Sequence, residues 1–198
     1  MTIWNQRYAT EEYAYGKEPN DFLRRTADDI PPGQILCLAE GEGRNAVYLA
    51  QQGWKVTAVD ISEVGLAKAQ RLAAERGVSI ETIHADLADF PIEPNRWGAI
   101  VSIFCHLPAD IRIPLHQRVV AGLKPGGTLV FEAYHPRQVE LGTGGPSDPA
   151  LLADLSTLRQ EFRGLNLQLM QEMERPIQEG TLHRGDSAVV QILGFKPH

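Results

Sequence analysis

Two hydrophobic rhythms alternate along this chain. Short apolar-rich runs at 34–39, 56–60, 79–85, 98–104 and 128–133 have the length of strands, and GAIVSIF at 98–104 is unbroken, as in a strand covered on both faces. Between the runs the spacing is helical. Ala46, Val47, Leu49 and Ala50 form one inner face over 44–52, and Leu66, Ala69, Leu72 and Ala73 form another after Ser62, a good N-cap. Gly53 and the Arg76–Gly77 pair close these helices, and a third, over 110–123, ends in the LysProGlyGly turn. Upstream, 19–21 starts a helix with Phe22, Leu23 and Ile30 inside, which ProProGly at 31–33 ends. Strand following helix in this order predicts an α/β chain with a parallel sheet. The alternation breaks near the end: a helix over 148–162 precedes strands at 166–174 and 187–195, joined by a polar turn through Glu179, Gly180 and Arg184. A helix-free connection implies an antiparallel pair, giving a mostly parallel seven-stranded sheet with a C-terminal antiparallel strand pair.

The stretch QILCLAEGEGRNA followed by VTAVD reads as strand, glycine turn, helix, strand, carboxylate, which is the pattern of a nucleoside-binding half-fold. Gly41 and Gly43 let the backbone approach a ligand, and Asp60 ends its strand where it can accept both ribose hydroxyls. Two ligands compete. GEGRNA satisfies a dinucleotide fingerprint, but Glu40 and Glu42 put carboxylates where a diphosphate would lie. An acidic turn suits the sulfonium and ammonium of S-adenosylmethionine instead.

At 198 residues the chain is one domain, 1–198, too short for a two-domain dehydrogenase. A formal net charge of -6 and no run of lysines or arginines argue against nucleic acid or an anionic membrane as partner. The start lacks a basic head before an apolar segment and no apolar stretch reaches about 18 residues, so the expectation is a soluble, cytoplasmic protein. Cys37 and Cys105 sit inside apolar runs without metal-ligand spacing, which predicts buried thiols and no metal site.

Further candidates gather where parallel strands end. Asp86, in HADLADF, can accept from the adenine amino group or cap a turn. Cys105 and His106 follow the fourth strand; His106 is a candidate general base or a helix-entry histidine bonded to backbone. Tyr134 and His135 emerge beside Glu132. Trp4, Tyr8, Tyr13 and Tyr15 lie in an N-terminal arm without clear period, to pack on the body or to close over a sulfonium. The glycine- and proline-rich 141–149 is a cover or a connector.

Taken together, LAEGEGRNA, VTAVDIS, HADLADF and LKPGGTLVF resemble the motifs of class I S-adenosylmethionine-dependent methyltransferases, over nearly the whole chain. WNQRYATEEYAYGKEPNDFL resembles the N-terminal segment of the tellurite-resistance and thiopurine methyltransferase-like branch. The resemblance implies a Rossmann-like three-layer sandwich, a donor site of Glu40, Gly41, Glu42, Gly43, Arg44, Asp60, Ile61, Asp86, Leu87 and Cys105, with Trp4 and Tyr15 from an arm and helix, 1–30, over it. In that site Glu40 or Glu42 would orient the methionyl ammonium and Arg44 meet its carboxylate. It implies a small methyl acceptor, a thiol or chalcogen oxyanion, in a monomer or homodimer. Two departures stand out: the family usually carries an acid where Cys37 stands and a glycine where Ala39 stands. CysHisLeuPro after the fourth strand also differs from members that methylate base amino groups. The rivals are an NAD-dependent oxidoreductase and a non-catalytic binder of S-adenosylmethionine.

Overall fold

A computed structural model describes residues 2–198, so Met1 of the expected 1–30 arm lies outside it. Seven strands, β1 (Gln34–Leu38), β2 (Lys55–Asp60), β3 (Glu81–His84), β4 (Trp97–Ile103), β5 (Leu123–Tyr134), β6 (Asn166–Glu179) and β7 (His183–Phe195), form one sheet in the order β3-β2-β1-β4-β5-β7-β6. β1 to β5 are parallel, and β7 runs antiparallel to both β5 and β6. The reversal in strand order between β1 and β4 opens a crevice at the carboxyl ends of the strands, where ligands bind in such sheets.

Among the described residues seven α-helices accompany the strands: α1 (Ile3–Arg7), α2 (Asp21–Thr26), α3 (Arg44–Gln51), α4 (Glu63–Glu75), α5 (Ala109–Gly122), α6 (Gln138–Leu141) and α7 (Leu155–Glu161). The side-chain period of two divides each central strand between two cores. Ile35 and Cys37 of β1 and Ala99 and Val101 of β4 face Phe22, Leu23, Leu49 and Leu72 of α2, α3 and α4. Leu36 and Leu38 of β1 and Ile100 of β4 face Leu115, Val119, Leu158 and Phe162 around α5 and α7. Helices on both faces give the three layers. Among the described residues no helix is long and apolar enough to cross a membrane.

Several boundaries differ from expectation. The arm contains α1, capped by the Thr2 hydroxyl, which accepts from the Asn5 amide. The helix expected over 148–162 is a 3-10 turn at Pro149–Leu151 followed by α7, because Leu152 and Asp154 are extended, Leu152 and Ala153 are buried, and Asp154 caps α7 afresh. β6 and β7 extend beyond the expected strands toward a short turn at 180–182, and Pro176 is accommodated because β6 is an edge strand. LysProGlyGly lies within β5 rather than before it, next to a register irregularity between Trp97 and Ala99.

Candidate active site

The glycine turn follows β1 through three left-handed residues: Ala39 (φ 49°), Gly41 (φ 62°) and Gly43 (φ 92°). The Ala39 conformation accounts for the glycine usual in the resembled family, since an L-residue is strained there. At Gly43 a Cβ would lie 2.5 Å from Ala69 Cβ, so glycine is what allows α3 and α4 to approach. At Gly41 a Cβ would lie 2.7 Å from the Tyr8 hydroxyl, which the arm lays over the turn.

Both acids of the turn, expected at the donor ammonium, are buried and bonded to the chain itself. Gly43 offers α3 no capping side chain; Glu40 Oε1 does so from below, accepting from the Asn45 amide at 2.9 Å and the Ala46 amide at 2.7 Å. Burial raises the Glu40 pKa to about 7 against the pull of these amides. Glu42 points to the arm, where Oε2 accepts from the Ala14 amide at 2.8 Å and Oε1 pairs with Lys68. Two of the α3 N-terminal amides on which a diphosphate would draw are therefore already occupied by a carboxylate of the chain. This is a firmer argument against a dinucleotide than repulsion by open acids.

Asp60 ends β2 beneath the turn and ties it together: Oδ2 accepts from the Gly41 amide and Oδ1 from the Ser62 amide, each at 2.8 Å. Each oxygen retains a second lone pair, so two hydroxyl donors fit beside these bonds. Burial raises the Asp60 pKa, and the Ser62 and Gly41 amides oppose that rise. Ile61 is half-buried and Leu87 buried. Asp86 is exposed and caps its own turn, Oδ1 accepting from the Ala88 amide at 2.9 Å, while Oδ2 makes no such bond. Cys105 is buried at the end of β4, its thiol pushed up to about 12 by burial and then by Asp60. Cys37, also free and buried, lies beneath the turn. A left-handed turn bare of side chains at Gly41 and Gly43, a strand-end carboxylate and the 61/86–87 lip fit an adenosyl group lacking phosphate.

On the β5 side the rings converge. Tyr15 lies 4.4 Å from His183, Phe104 4.8 Å from His183 and 4.6 Å from Tyr134, and Tyr134 5.5 Å from His183, centroid to centroid. Phe104 is held in a left-handed conformation (φ 53°) and donates its amide to Glu132 O. Gly144 and Gly145 of the 141–149 loop pack on Tyr134. Trp4 stacks on Tyr8 at 5.9 Å and reaches this group only through it, Tyr8 being 6.3 Å from Tyr15. Three buried polar atoms of this region make no hydrogen bond among the described residues: Arg44 Nη1, Tyr134 Oη and His183 Nδ1, the last facing Glu179 Oε2 at 3.8 Å.

His106 does not have the geometry of a base. Its Nε2 accepts from the Tyr134 amide at 3.1 Å, and burial, followed by the charge of nearby His183, lowers its pKa to about 3. The backbone-bonded reading of this histidine is the one observed. His183 was missed from sequence, because 179–184 reads as a polar turn. The available signal was topological: an antiparallel last strand starts where the parallel strands end, so its first residue reaches the crevice.

Behind the rings runs a buried ionic network. Arg44 Nη2 donates to Glu179 Oε2 at 2.6 Å, and Arg175 makes two bonds to Glu132, at 2.9 and 2.8 Å. Asn20 and Gln191 also donate to Glu132, which is fully buried. Burial opposes the Glu179 charge, but His183 and Arg44 bring its pKa down to about 2. Arg44 is thus half committed, with one nitrogen left over.

Residues 35–127 match the family described as methyltransferase domain. A demethylmenaquinone methyltransferase of Clavibacter sepedonicus is 30% identical over 128 residues, 62% of this chain and 51% of that protein. The chain thus spans about half the length of the curated relatives it matches. Among solved structures, TehB from Haemophilus influenzae superposes with a TM-score of 0.73 at 19% identity, covering 98% of this chain and 65% of that one. A structure described as the conversion of a disulfide bond into a thioacetal group during echinomycin biosynthesis superposes with a TM-score of 0.78 at 16% identity, covering 98% and 88%. The cofactor implied by the domain match and by neighbours described as S-adenosylmethionine-dependent methyltransferases is S-adenosylmethionine. Residues 35–127 thus match a methyltransferase-domain family, and 89% and 91% of the chain share the fold of two solved structures described as S-adenosylmethionine-dependent methyltransferases, at 18% and 16% identity.

Proposed function

We propose that the chain transfers a methyl group from S-adenosylmethionine to a small nucleophile, a thiol or chalcogen oxyanion. The observation that carries the acceptor reading is the ring group of Tyr15, Phe104, Tyr134 and His183, closed by the arm and the 141–149 loop, with three unpaired polar atoms at its edge. Bound S-adenosylmethionine supplies an electrophilic methyl; the chain supplies position and dryness. Asp60 would hold the ribose hydroxyls, Asp86 would accept from the adenine amino group, and Ile61 and Leu87 would flank the base. Tyr134 Oη and Arg44 Nη1 orient the acceptor. The acceptor's sulfur or chalcogen lone pair would bond the methyl carbon as the bond from that carbon to the donor sulfur breaks, leaving S-adenosylhomocysteine; the neutral His183 would take the proton of a thiol acceptor, and an oxyanion would need no base. The sulfur chemistry named for the echinomycin-pathway structure supports a thiol.

Calorimetry should show binding of S-adenosylmethionine and S-adenosylhomocysteine but not NAD, and Asp60→Ala should weaken donor binding by about 1–3 kcal/mol. Release of S-adenosylhomocysteine should depend on an added thiol or chalcogen oxyanion, fall at least a hundredfold in His183→Ala, and persist in His106→Ala. NAD binding in place of the donor refutes the cofactor assignment. Donor binding without turnover on any small acceptor favours the non-catalytic reading.

A further inference from the structure

Glu42 belongs to the glycine turn by sequence but works on the arm. Its partner Lys68, on α4, is almost fully enclosed, at 1% exposure. An ammonium so deeply placed requires a complete set of acceptors, and nearly all of it comes from one segment. Lys68 Nζ donates to Thr10 O at 2.9 Å and Glu12 O at 2.6 Å, pairs with Glu42 Oε1, and lies 4.7 Å from the centre of the Tyr13 ring. The Tyr13 hydroxyl donates back to Lys68 O at 3.1 Å. Glu42 Oε2 receives the Ala14 amide. Residues 10–14 have no helix or strand of their own, so these contacts substitute for regular structure.

The same segment runs on into the site. Ala14 O accepts from the Thr181 amide at 3.0 Å, and Gly180 sits so close that a Cβ there would lie 2.3 Å from that oxygen. Tyr15 then turns its ring onto His183, and its hydroxyl accepts from Arg7 at 2.8 Å. Residues 10–16 thus form a strap from the glycine turn to the β6–β7 turn. One end is held by buried charge and the other by backbone bonds.

We propose that the Glu42–Lys68 pair is a latch: it fixes the strap across the donor site and sets how fast the demethylated donor leaves. Both are positioning residues that act through Ala14 and Tyr15. The inference rests on the donor reading above, since what the strap confines is the adenosyl ligand. A carboxylate and an ammonium are needed together because either alone would be a buried, uncompensated charge.

The test uses the full chain and S-adenosylhomocysteine as the probe. In Glu42→Gln/Lys68→Met both charges are removed at once, and amide exchange across 10–16 should rise at least a hundredfold while that of β1 and β4 stays protected. The dissociation rate of S-adenosylhomocysteine, by stopped flow, should rise at least tenfold, with the association rate changed less than threefold. Tyr13→Phe, which keeps both charges and removes one strap contact, should move both readouts the same way by a smaller factor, and serves where the double variant does not fold. Faster exchange with unchanged release shows a purely structural tie and overturns the latch, as does unchanged exchange. Failure of the unaltered protein to bind S-adenosylhomocysteine refutes the donor reading itself, and the latch with it.

Discussion

Replacing Glu40 by Gln isolates the energetic consequence of placing an acid under the glycine turn. Burial lifts the pKa of this carboxyl from the ordinary 4.5 to about 7, so between those values it is protonated in the folded chain and ionised in the unfolded one. The folded state then binds more protons, and stability falls as pH rises from 4.5 to about 7, with no further change above. At about 1.4 kcal/mol per unit the loss totals about 3 kcal/mol. Gln offers the Asn45 and Ala46 amides the same oxygen without the charge. Glu40→Gln should therefore gain stability relative to the unaltered chain as pH rises, the difference growing by about 3 kcal/mol between pH 4 and pH 8. Urea unfolding at half-unit steps, read by circular dichroism, measures that difference. Parallel pH profiles of the two chains would show that Glu40 ionises normally and would refute the argument.

Two further outcomes follow from the packing. Gly43→Ala combines a left-handed backbone with a Cβ 2.5 Å from Ala69 Cβ, so it should destabilise the chain by more than about 2 kcal/mol; a smaller loss in urea unfolding would mean that α3 and α4 can separate freely. Arg175→Met leaves the fully buried Glu132 carboxylate without its cation and should cost about 3–5 kcal/mol, part of which Glu132→Gln in the same chain should restore; an additive double variant would contradict the pairing.

What was legible in the sequence depended on burial from both sides. The apolar runs at β1, β2 and β4 leave no alternative to a covered strand, and Ser62, Gly53 and Gly77 mark helix ends by local chemistry alone. Elements held by distant contacts were not legible. The five residues of α1 have no apolar face and stay helical because Asn5 meets Ser62 and Tyr8 packs on Gly41. Site residues divided the same way: Gly41, Gly43 and Asp60 are local to a motif, whereas His183 and Glu179 reach the crevice only through the topology of β7 and β6. Glu42 was legible as an acid but not as a satisfied one, since its partners are residues 14 and 68; the partners of Glu40, the Asn45 and Ala46 amides, lie within six residues.

That last distinction changes how the turn selects its ligand. A pair of open carboxylates would attract any cation, including metal ions and free amines, and would give little discrimination among them. A carboxylate seated on the α3 amides acts differently, because it removes the donors on which a diphosphate depends while adding little field above the turn. The resembled family's acid at position 37 is replaced by a thiol whose pKa is pushed well up by burial and then by Glu40, so the acid has in effect moved three places along the chain to the helix end. On the proposed donor reading, selectivity at Gly41–Gly43 would arise by excluding phosphate, and the preference for an adenosyl ligand would fall to Asp60, the carboxylate at the end of β2.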